Sequence, residues 1–91
     1  MKQALFALGQ IVATPGALEL MKAQGIDGLA LLSRHVTGDW GDLDKADKQE
    51  NELSVHKGFR ILSAYGRGDQ KLWVITEADR SVTTILRPDE Y

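Results

Sequence analysis

Beyond Gly58 the hydrophobic pattern of the chain changes to a period of two, and this switch restricts the available folds more than any other feature. Phe59, Ile61, Ser63 and Tyr65 fall on one face of an extended segment, with Arg60, Leu62 and Ala64 on the other. Gly66-Arg67-Gly68-Asp69 makes a turn, and Lys71 to Thr76 reads as a strand apolar on both faces, as befits a central strand. Ala78-Asp79-Arg80-Ser81 turns the chain again into Val82 to Leu86, which Pro88 ends. Strands joined by turns this short pair antiparallel, so the second half predicts a three-stranded meander.

The first half reads as helices. Thr14-Pro15-Gly16 before Ala17-Leu18-Glu19-Leu20-Met21 has an N-cap residue and a proline at the first helical position, and Gly25 supplies the stop. A second helix is expected from Asp27 to about His35, with Gly38 marking its end. A third, mostly solvated, is expected from Leu43 to Lys57 with Gly58 as its C-terminal cap. The apolar run Ala4 to Val12 is of strand length and is expected to join the sheet. The fold class is therefore α+β, N-terminal helices packed on a three- to four-stranded antiparallel meander, with residues 1–91 as a single domain.

At 91 residues such a chain supports one small core. The net charge of −2, from 13 acidic and 11 basic residues, argues against a protein that holds duplex DNA by neutralising phosphates. The bases nonetheless favour the second half, where a basic face is conceivable. Absent cysteines remove thiolate metal sites and thiol nucleophiles, and agree with a cytoplasmic protein. No run is long and apolar enough to span a membrane, and Met1 to Gln10 lacks the pattern of a signal peptide.

The residues that could carry chemistry gather at few places. Around the last turn, Glu77, Asp79, Arg80, Ser81, Thr83 and Thr84 offer an acid or base, a cation for phosphate and hydroxyl donors. Turn chemistry alone also explains them, with Asp79 and Ser81 bonding nearby backbone and Arg80 pairing with Glu77. His35, four residues before Asp39, fits a general base oriented by a carboxylate, or equally a cap on a helix C-terminus. Trp40, between two glycines, suits a binding aromatic or a lid over the core. Asp39, Asp42, Asp44 and Asp47 lack calcium-loop spacing and read as an acidic helix start, and the two histidines are too far apart for a zinc pair. No metal or cofactor is expected.

Leu8-Gly9-Gln10-Ile11-Val12-Ala13-Thr14-Pro15-Gly16-Ala17-Leu18, Arg34-His35 with Gly38-Asp39-Trp40-Gly41, and Ile75-Thr76-Glu77-Ala78-Asp79-Arg80-Ser81 through Leu86 to Glu90-Tyr91 together resemble the plasmid-related proteins of bacterial plasmids and integrative elements. The resemblance implies a setting in element maintenance, transfer or evasion of host defence, hence a protein or nucleic-acid partner. The order of elements is also similar to that of barnase-like and RelE-like ribonucleases. That similarity implies His35 or Glu77 as base, Arg80 as phosphate ligand, and Thr83 or Ser63 as a transition-state donor.

Two functions follow as expectations. One is an accessory binding protein whose contact surface holds His35, Trp40, Asp39, Glu77, Asp79, Arg80 and Ser81. The alternative is a metal-independent ribonuclease or toxin using His35, Glu77, Arg80 and Thr83. Trp40 or a free edge strand would serve a homodimer.

Overall fold

Thr14 starts the first helix in the expected way: its backbone is extended, and its hydroxyl accepts from the Ala17 amide at 3.2 Å. Helix α1, Pro15–Gln24, then runs to a left-handed Gly25. The structure, a computed structural model, describes residues 3–91. Met1 and Lys2, on which part of the leader reading rests, lie outside the described residues.

Helix α2, Gly28–Val36, begins where the Asp27 carboxylate accepts from the Leu29 amide at 3.0 Å, and it turns Leu31, Leu32 and His35 inward. Helix α3, Lys45–Lys57, starts two residues later than its composition suggests, because Asp44 caps it by accepting from the Asp47 amide. As expected it is largely solvated, burying only Asn51 and Ser54.

Strands β2 (Ile61–Tyr65), β3 (Leu72–Thr76) and β4 (Val82–Leu86) form the meander, with Ser63 opposite Val74 and Val74 opposite Ile85. The N-terminal run supplies a fourth strand, β1 (Gln10–Ala13), shorter than the Ala4 to Val12 segment expected of it. It lies beside β4 and parallel to it, so the order is β1-β4-β3-β2 and the sheet is mixed, not purely antiparallel. Parallel neighbours need a long connection between them, and here the helices and the other strands supply it.

Helices α1 and α2 cover one face of the sheet. The core there is Ala17, Met21, Leu31, Leu32, Tyr65, Leu72, Val74 and Ile85, where each fully buried large aliphatic side chain contributes about 2 kcal/mol. On the opposite face the C-terminal segment folds back, and the Tyr91 ring meets Trp73 edge-on at 5.8 Å. Glu90 anchors that segment by accepting from the Thr14 hydroxyl at 2.6 Å and the Gly16 amide at 3.1 Å. These bonds hold its carboxyl below the usual range.

The β2 edge is closed. Asp42 donates its amide to the Ala64 carbonyl at 2.6 Å, and the Ala64 amide donates to the Trp40 carbonyl at 3.2 Å. Gly41 makes this approach feasible: its φ is +77°, and a Cβ there would stand 2.0 Å from the Ala64 oxygen. One pairing step further along, Asn51 acts as a strand would. Its Nδ2 donates to the Leu62 carbonyl at 2.6 Å and its Oδ1 accepts from the Leu62 amide at 3.2 Å.

Candidate functional site

Polar residues stand at inward positions of all three meander strands: Ser63 on β2, Thr76 on β3 and Thr83 on β4. All are fully buried, and so is His35 on α2. His35 Nδ1 lies 2.5 Å from Ser63 Oγ, and its Nε2 lies 3.0 Å from Thr76 Oγ1. Thr76 Oγ1 is 2.7 Å from Thr83 Oγ1, which in turn donates to the Leu8 carbonyl at 2.7 Å.

The carbonyl at the end of this chain sets the direction of every bond in it. A carbonyl only accepts, so Thr83 spends its proton there and must accept from Thr76. Thr76 then accepts from His35, which places the imidazole proton on Nε2 and leaves Nδ1 to accept from Ser63. The histidine is neutral and wholly satisfied, and burial lowers its pKa to about 4.

Aromatic rings seal this network. Phe6 meets the His35 ring edge-on at 5.2 Å and stacks on Trp40 at 6.3 Å, and Trp40 contacts His35 edge-on at 6.1 Å. Trp40 is only 3 % exposed and its Nε1 donates to Glu52 at 3.0 Å. It closes the core, the second of the two roles its position allowed, and presents no open face to a partner.

Neither sequence reading of His35 describes its contacts. Asp39 does not orient it: that carboxylate pairs with Arg34 at 2.7 Å, while the Arg34 guanidinium lies over the Tyr65 ring at 4.4 Å. The imidazole also does not cap α2, since the Thr37 hydroxyl donates to the Ser33 carbonyl instead. Tyr65 donates to the Asp39 carbonyl at 2.7 Å, and burial pushes its phenol up to about 12.

At the last turn, the local-bonding reading describes Asp79 and Ser81 well. The Asp79 carboxylate accepts from the Ser81 amide at 3.0 Å and from its hydroxyl at 2.6 Å, which lowers the Asp79 pKa. Arg80 departs from both readings. It sits at φ +60° and its guanidinium donates to the carbonyls of Phe59 at 2.7 Å and Ser54 at 2.9 Å, closing the C-terminal end of α3. The Glu77 carboxylate pairs with Arg60 at 3.3 Å, and the Arg80 guanidinium reaches Glu77 only at its backbone carbonyl, at 3.3 Å.

His35 and Thr83 thus belong to one sealed network, whereas Arg80 and Glu77 lie outside it with other partners. The signal for the network was present in the sequence as hydroxyl residues at core-facing positions of apolar strands.

An opening lies elsewhere, between the start of α3 and the outer face of β2 and β3. It is a cleft of about 570 Å³ whose walls carry Asp42, Asp44, Asp47 and Glu50, with Lys71 and Trp73 beside them. Two of these acids have local roles: Asp42 accepts from the Gly66 amide and Asp44 caps α3. Among the described residues no group of three or more histidine, aspartate or glutamate side chains is arranged to hold a metal ion, and no helix is long and apolar enough to cross a membrane. No protein-family model, no curated protein and no solved structure matches the chain.

Proposed function

We propose that the protein is a binding module, an accessory protein of a bacterial mobile element that engages a basic segment of a partner protein through the cleft beside α3. The observation that carries this reading is the composition of the cleft: four carboxylates and a single lysine around the half-buried Trp73. Such a lining repels phosphates and attracts lysine and arginine side chains, whose alkyl stems pack on an indole. Of the two partner classes that the sequence left open, this favours protein over nucleic acid. The resemblance to plasmid-related proteins supports the setting. Burial of His35 and Thr83, together with the engagement of Arg80 by carbonyls, gives the ribonuclease reading no shared cleft to work in.

The test is capture from a host lysate by the wild-type protein and by the double variant Asp47→Lys, Glu50→Lys, with bound proteins identified by mass spectrometry. Partners retained by the wild type, lost in the variant and released by salt support the reading. Equal capture by both proteins overturns it. RNA cleavage in chelator that disappears in His35→Ala would establish the enzyme instead.

A further inference from the structure

We infer that the protein pairs with a second copy of itself along β1, the two sheets joining edge to edge about a twofold axis. This inference is independent of the cleft, which lies at the other side of the sheet.

The two edges of the sheet are treated oppositely. Residues 40–42 and the Asn51 side chain cover the β2 edge, whereas among the described residues β1 pairs only with β4. The Gln10 amide donates to the Ser81 carbonyl at 2.9 Å and the Thr14 amide to the Ile85 carbonyl at 3.0 Å. Since pairing alternates along a strand, Gln10, Val12 and Thr14 face β4, and Ile11 and Ala13 turn their amides and carbonyls to the open side.

Strand β1 is short, at four residues, but it carries no charge, proline or bulge to blunt its open edge. From Gln3 to Leu18 no side chain is charged, in a chain where 26 % of residues are. Apolar side chains flank the edge on both faces. Val12 is 38 % exposed on the outer face, and on the helix side Ile11, Leu18 and Leu29 are 48, 55 and 73 % exposed around an open groove of about 390 Å³. The one charged residue lining that groove, Asp27, accepts from the Leu29 amide.

These properties select the occupant. A neutral edge gains nothing from a charged partner strand and meets no repulsion from its own copy. An antiparallel pairing centred on Val12 places Ile11 opposite the partner's Ala13 and Ala13 opposite the partner's Ile11. Both are hydrogen-bonded pairs, so every outward amide and carbonyl of Ile11 and Ala13 is satisfied by symmetry. Val12 meets the partner's Val12 at the close, non-bonded position on the axis. The exposed Leu18 and Leu29 side chains border the same seam.

Sedimentation equilibrium of the full chain tests this. The wild type is expected to sediment at twice its 10.0 kDa mass and to dissociate on dilution. Ile11→Lys should sediment as a monomer with unchanged near-ultraviolet circular dichroism, and Leu53→Lys, which places the same charge on an exposed leucine of α3, should remain a dimer. Hydrogen exchange supplies a readout needing no variant: amides of Ile11 and Ala13 should exchange faster on dilution while that of Asn51 does not. A wild type that is monomeric at the concentrations used for NMR overturns the inference. So does a dimer that survives Ile11→Lys, or one whose Ile11 and Ala13 exchange is indifferent to dilution.

Discussion

The Arg80 guanidinium donates to the Ser54 carbonyl at 2.9 Å, so a residue of the β3–β4 turn completes the last turn of α3. The same group holds the Phe59 carbonyl at 2.7 Å and lies over the Phe6 ring at 5.6 Å. One side chain therefore ties together the helix end, the entry to β2 and the N-terminal segment.

Replacing Arg80 by alanine should lower stability by about 2 kcal/mol, the usual cost of losing charge-assisted hydrogen bonds. The backbone at this position is left-handed, with φ +60°. Arg80→Gly relieves that conformation while deleting the same contacts, so its loss should be smaller by about 0.5–1 kcal/mol. Urea midpoints of the two variants, compared at constant m-value, check both statements.

Asn51→Ala should cost about 1–2 kcal/mol, because it leaves the partly buried amide and carbonyl of Leu62 without their partner. Asn51→Asp keeps an acceptor for the Leu62 amide but sets a carboxylate against the Leu62 carbonyl. At neutral pH it should be no more stable than the alanine variant, and it should recover part of the loss on acidification, when the protonated acid regains a donor. Thermal melts across that pH range give the comparison.

Thr83→Val preserves shape and removes the hydroxyl that joins Thr76 to the Leu8 carbonyl. A loss of about 2 kcal/mol is expected from the groups left unpaired. The N-terminal segment should also loosen. Faster hydrogen exchange at the Leu5 amide, which donates to the Val36 carbonyl at 2.8 Å, would register this.

For His35 the folded-state pKa of about 4 lies below the value of roughly 6.5 for an unfolded histidine. Between these limits the unfolded chain binds the proton and the folded chain does not. The contribution to stability is therefore complete above about pH 6.5 and is lost as the pH falls towards about 4, a change on the order of 3 kcal/mol. Urea midpoints should fall over this window in the wild type and fall less in His35→Gln. Nitrogen-detected NMR should find the Nε2–H tautomer at neutral pH.

Much of the fold was legible because local chemistry fixes it. Thr14, Pro15 and Gly25 bound α1, and the turns at 66–69 and 78–81 set the meander. The parallel seat of β1 was hidden, since its partner β4 is far away in sequence and the residues between leave no mark on β1's own pattern. Arg80 misled for a related reason. Its neighbour Glu77 was visible in the sequence, but the Ser54 and Phe59 carbonyls that engage it arrive only through tertiary packing. The His35 network was half legible: Ser63, Thr76 and Thr83 share the core-facing parity of their strands, but their convergence on one imidazole depends on where α2 crosses the sheet.

The sheet order also has a consequence for synthesis on the ribosome. Strand β1 is made first, and its sheet partner β4 is the last strand to emerge, so Ile11 and Val12 wait beside the nascent chain with no strand to join. A nascent chain stalled before Val82 would hold helices α1 to α3 and two of the three meander strands while leaving an unpaired apolar strand exposed to chaperones and to neighbouring nascent chains.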